Sequence, residues 1–76
     1  MPVVFSPHAK FQLRKRHISR RLIKDAINNP SETITSYKNR RLRRKVIGGK
    51  ILQVVTITEG SKITIISGYY LRKKKI

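Results

Sequence analysis

The spacing of apolar residues changes once along this 76-residue chain, near Pro30. Before that point they recur three and four positions apart. PVVF at residues 2–5 reads as a short apolar strand, and Ser6 followed by Pro7 reads as a helix N-cap with proline at the first helical position, where a missing N–H does no harm. The predicted first helix covers Pro7 to Arg16, with Ala9 and Leu13 on one face, Phe11 beside them, and Lys10, Arg14 and Lys15 largely outside that stripe. HIS at 17–19 interrupts it. Ser19 caps a second helix over roughly Arg20 to Asn28, with Ile18 placed to staple onto Ile23 and a stripe of Leu22, Ile23, Ala26 and Ile27. Asn28, Asn29 and Pro30 end it.

Beyond Pro30 the period becomes two. ETITSYK, LRRKVIG, KILQVVTIT and KITIISGYYL are rich in Ile, Val, Thr and Tyr, and two turn signals separate them, GG at 48–49 and EGS at 59–61. The expected fold is α+β: strand, helix, helix, then a three- or four-stranded antiparallel meander, in a single domain spanning residues 1–76. The last residues, 72–76, are expected to form a frayed basic tail. In the strand near Arg40 to Ile47, Arg41, Arg43, Lys45 and Ile47 share one face, and Arg40, Leu42, Arg44 and Val46 the other. Neither face is purely apolar, so an edge position is expected.

Charge sharpens this picture. Nineteen Lys and Arg against three Asp and Glu give a formal net charge of +16, which repels itself within so small a fold. A polyanion would relieve the repulsion, and nucleic acid is the commonest such partner. The candidate contacts are Arg14, Arg40, Arg41, Arg43, Arg44, Lys45, Lys50, Arg72 and Lys73. A charged edge that deters aggregation would account for the same cluster without any ligand. The chain has no cysteine, which removes disulfides and thiolate metal sites, and MPVVFSPH lacks the apolar core of a signal peptide. A cytoplasmic protein without a membrane segment is expected.

The side chains present also restrict the chemistry. Asp25, Glu32 and Glu59 fall in separate parts of the pattern and are not expected to converge, so neither a metal site nor a cofactor is anticipated. RNA supplies its own nucleophile, the 2′-hydroxyl, and its cleavage needs only proton transfer and cations around the phosphorane. His8, His17, Tyr37, Tyr69 and Tyr70 are available for proton transfer, though each also reads as an ordinary surface or core residue. Tyr69 and Tyr70, adjacent on a strand, must point to opposite faces.

The order of elements, the His8–Ala9 opening of the first helix, KRHIS between helices, the AINNP ending, and GGKILQVV followed by KITIISGYY together resemble a small domain family allied to the RelE/ParE toxins, within the barnase-like and colicin-like metal-independent ribonucleases. The resemblance covers about Val4 to Leu71 and includes Arg16 ahead of the Ile18–Ser19 cap. It implies an antiparallel sheet carrying two helices on one face. It also implies a toxin that cleaves RNA, often messenger on the ribosome, and that an acidic antitoxin restrains. In such toxins the strands supply Arg, Lys and a C-terminal Tyr or His, which the resemblance matches to Arg43, Lys45, Tyr69 and Tyr70, and the catalytic set it suggests is His8, Arg16, Arg43, Lys45 and Tyr70. ParE relatives share the fold and inhibit DNA gyrase instead, and a non-catalytic RNA- or DNA-binding module would use the same basic sheet.

Overall fold

A computed structural model describes residues 3–36 and 38–72, excluding the side chain of Arg72. The expected tail began at Arg72, but the last strand runs through Arg72, which pairs with Lys50; Tyr37 and residues 73–76 lie outside the described residues. The elements run β1 (Val3–Phe5), α1 (Pro7–Lys15), α2 (Arg20–Asn28), β2 (Glu32–Thr35), β3 (Arg40–Ile47), β4 (Lys50–Glu59) and β5 (Lys62–Arg72). Both helices begin where the capping residues predict. The Ser6 hydroxyl accepts from the Ala9 N–H at 3.1 Å, and that of Ser19 from Leu22 N–H at 3.2 Å.

The meander has four antiparallel strands, β2 to β5, and β1 joins the same sheet. This departs from the expectation of a wholly antiparallel sheet. The strand order is β1-β5-β4-β3-β2, with β1 parallel to β5 through Val3–Ile63, Val4–Thr64 and Phe5–Ile65. The five-stranded sheet is therefore mixed. β3 is also not an edge: β2 covers it, pairing Glu32 with Arg44 and Thr35 with Arg41. The β2–β3 turn was not marked by glycine. Lys38 and Asn39 both adopt positive φ, 59° and 60°, as a type I′ turn requires, and asparagine is the residue that tolerates this best after glycine.

α1 lies against β5, and α2 lies over β4 and β3, on one face of the sheet. The core between them contains Ala9, Leu13, Ile23, Ala26 and Ile27 from the helices and Leu52, Val54, Ile63 and Ile65 from the strands, with Ile18 between the helices closing one side. Gly68 makes room for the helices: a Cβ there would lie 3.1 Å from both Ile23 Cδ1 and Leu13 Cδ2. Among the described residues no helix is long and apolar enough to cross a membrane.

One irregularity controls which residues face the helices. The β4–β5 register slips at Val55/Thr56, where Val55 pairs with Ser67 but Thr56 pairs with Ile65. Ile66 is the extra residue. Strict alternation from the buried Ile63 and Ile65 would put Tyr69 in the core and Tyr70 outside. The bulge reverses this, so that Gly68 and Tyr70 follow on the helix face while Ser67, Tyr69 and Leu71 face the other way.

Candidate nucleic-acid interface

The two faces of β3 alternate as the sequence predicts, and they have different tasks. Arg41, Arg43 and Lys45 pair across with Thr56, Val54 and Leu52, which belong to the helix side of β4. Arg43 donates through Nη1 to the Ile27 carbonyl at 3.5 Å and through Nε to Thr56 Oγ1 at 3.4 Å. Lys45 Nζ donates to the Asn29 carbonyl at 3.1 Å and lies 3.3 Å from Asp25 Oδ2. Both cations thus sit at the C-terminal end of α2, where carbonyls lack intrahelical partners and the helix dipole is negative. Burial, aided by neighbouring Arg41, lowers the pKa of Arg43. The geometry ties both expected catalytic cations, Arg43 and Lys45, to the end of α2.

Among the described residues the other face carries no helix. Crossing it in register is a row of four side chains, one from each strand of the meander: Glu32, Arg44, Gln53 and Tyr69. They are linked end to end. Glu32 Oε2 lies 3.8 Å from Arg44 Nη1, Arg44 Nε donates to Gln53 Oε1 at 2.7 Å, and Gln53 Nε2 donates to the Tyr69 hydroxyl at 2.5 Å. Gln53 is buried beneath its neighbours although no element among the described residues covers this face. From the far side, Arg16 at the end of α1 brings its guanidinium 5.8 Å from the centre of the Tyr69 ring and donates to the Gly68 carbonyl at 3.0 Å. Tyr69 is therefore flanked by Arg16 on one side and reaches Arg44 through Gln53 on the other.

The five expected catalytic residues do not come together. His8 is exposed in the first turn of α1, and Arg16 lies eight residues on, about 12 Å of helical rise away. Tyr70 lies on the helix side opposite Leu52, beneath the Lys50 ammonium at 5.3 Å. Only Arg16 reaches the open-face row, and it does so at Tyr69, the other tyrosine. Among the expected nucleic-acid contacts, Arg40 and Arg44 lie on the open face and Arg14 is exposed on α1, while Arg41, Arg43, Lys45 and Lys50 belong to the helix side. The side chain of Arg72 and all of Lys73 lie outside the described residues. Gln53 was missed as a member of this row because its partners depend on strand register; the Gln inside the apolar run ILQVV was the available signal.

Two aliphatic rows border the polar one. Ile34, Leu42 and Val55 lie on one side, and Val46, Ile51 and Leu71 on the other. Val46 is exposed, and the remaining five are partly so. Among the described residues no group of three or more His, Cys, Asp or Glu side chains is placed to hold a metal ion. A protein-family model described as "Domain of unknown function (DUF4258)" matches residues 5–70. No curated protein and no solved structure matches the chain.

Proposed function

We propose that this chain, which belongs to the DUF4258 family, is a RelE-like, metal-independent endoribonuclease that takes single-stranded RNA across the open face of its sheet. The observation that carries the reading is the row ending at Tyr69, a phenol held by a buried amide with guanidinium groups on both sides. Phosphate binding alone requires only exposed cations. Here a proton donor is oriented as well: because Tyr69 oxygen accepts from Gln53, its own O–H is left to point at a ligand.

In the proposed reaction the RNA 2′-oxygen attacks the adjacent phosphorus and the bond to the 5′-oxygen breaks, leaving a 2′,3′-cyclic phosphate and a 5′-hydroxyl. Arg16 and Arg44 balance the charge that grows on the non-bridging oxygens, while Tyr69 gives its proton to the departing oxygen and recovers one from water. The 2′-hydroxyl proton goes to solvent. Glu32 stands three strand spacings from Tyr69, about 14 Å between backbones, and its carboxylate faces Arg44.

The aliphatic rows support the second half of the reading, an acidic protein inhibitor. A polynucleotide gains little from Ile34, Leu42 or Val46, whereas an amphipathic acidic segment would cover them and neutralise the cations together. Two copies at +16 each would repel, which disfavours self-association across this face. The test is incubation of the purified protein with single-stranded RNA in EDTA, followed by end-group analysis. Cyclic phosphate ends that vanish in Tyr69→Phe and persist in Tyr70→Phe are expected. Tight binding without cleavage would instead identify a non-catalytic RNA-binding module.

A further inference from the structure

Phe11 is 64% exposed, an unusual position for the only phenylalanine of a helix whose other apolar residues, Ala9 and Leu13, are buried. It is two positions from each of them, about 200° around the helix at 100° per residue, and so points directly away from the core instead of lying beside them as expected from the sequence. A single exposed aromatic ordinarily carries no meaning. Its surroundings supply one here. His8, Phe11, Gln12 and Lys15 follow the i, i+3, i+4, i+7 spacing and form one continuous flank of α1. The Lys15 ammonium lies 6.0 Å from the Phe11 ring centre. At the edge of this flank Gln12 Oε1 accepts from Ser67 Oγ of β5 at 2.6 Å, and Arg16 crosses from the end of α1 to Tyr69. The flank is therefore joined to the open sheet face around the β5 edge.

We infer that this flank of α1 is a second nucleotide-binding site, in which an unpaired base of an RNA strand leaving the sheet stacks on Phe11 while Lys15 and His8 meet its phosphate and ribose. The inference rests on the reading of the open face as an RNA surface and extends it by one station. An aromatic face accepts any base, so the site lengthens the bound stretch without reading its sequence. The cation beside the ring suits a polyanion. An acidic protein segment could use the same charges, but it would gain as much from an aliphatic side chain at residue 11 as from an aromatic one.

The experiment measures binding of 2′-O-methyl RNA, which cannot be cleaved by 2′-hydroxyl attack, using one strand of about 4 nucleotides and one of about 14. Phe11→Ala should weaken the longer strand roughly 5- to 150-fold and leave the shorter one unchanged. Phe11→Trp should bind the longer strand at least as well as the wild type, and Phe11→Leu should be as weak as the alanine variant. Unchanged melting temperatures, expected for so exposed a position, show that folding is not the cause. The inference is overturned if Phe11→Ala binds the longer strand like the wild type, or if Phe11→Leu restores binding. If the wild type binds neither strand at low salt, the RNA reading of the sheet fails with it.

Discussion

His17 adopts a φ of 56°, a left-handed conformation that a side chain with a Cβ enters at a cost. It does so because α1 ends there: Ile18 N–H reaches back to the Leu13 carbonyl at 2.9 Å and His17 N–H to Arg14 at 3.3 Å, closing a Schellman turn that places Ile18 in the core. His17→Gly should therefore stabilise the fold by about 0.5 to 1 kcal/mol in a urea titration, the relief of strain exceeding glycine's extra entropy. A loss of stability would show that the imidazole makes a contact that matters. The two tyrosines differ in the same way, by surroundings. Tyr69→Phe removes the acceptor of the buried Gln53 amide and should cost about 1 to 3 kcal/mol as well as abolishing cleavage, whereas Tyr70→Phe should change neither. A Tyr70→Phe variant that folds normally but fails to cleave RNA would move the reaction to the helix side.

Between α2 and β3, stability depends on pH. Hydrogen bonds from Lys45 and then Asn29 hold the Asp25 pKa below its ordinary value of 3.8. A carboxyl group that is more acidic folded than unfolded contributes fully above the unfolded pKa and loses that contribution as pH falls through the folded one. The wild type should accordingly lose melting temperature between about pH 5 and pH 2, and Asp25→Asn should start lower and lose less over that interval. A parallel pair of curves would mean that the ion pair adds nothing. Where both helices approach β5, Gly68→Ala should destabilise by about 1 to 3 kcal/mol, because its Cβ would press on Ile23 and Leu13; a melt as high as wild type would show that these side chains move aside freely. The helices themselves were legible in the sequence because their signals are local: Ser6 with Pro7, Ser19, and Asn28-Asn29-Pro30. The bulge at Ile66 was not, since one more isoleucine in a β-branched run looks like its neighbours, and the slip exists only relative to β4. For the same reason the sequence placed the cations of β3 on two faces correctly but could not say which face α2 covers. Arg16 and Arg44 were therefore recognisable as cations, and their contacts with the Tyr69 ring and Gln53 were not.

The whole molecule is governed by its charge of +16. Added salt screens repulsion within the fold and attraction to RNA alike, so the melting temperature should rise with salt while RNA affinity falls. If Arg16, Arg40 and Arg44 each meet a phosphate, replacing all three by Ser should flatten the log K against log salt slope by about 2, at roughly 0.7 per contact on a single strand. An unchanged slope would place the phosphates elsewhere. The parallel pairing of β1 with residues 63–65 has a consequence at this scale too. During translation the first strand emerges long before the last, and it has no partner until the final hairpin has been made. A nascent chain halted before Lys62 lacks both the strand that β1 requires and Tyr69 itself. The domain thus completes its sheet only once β5 has been made, and a copy stopped short of it has neither the sheet nor its open-face row.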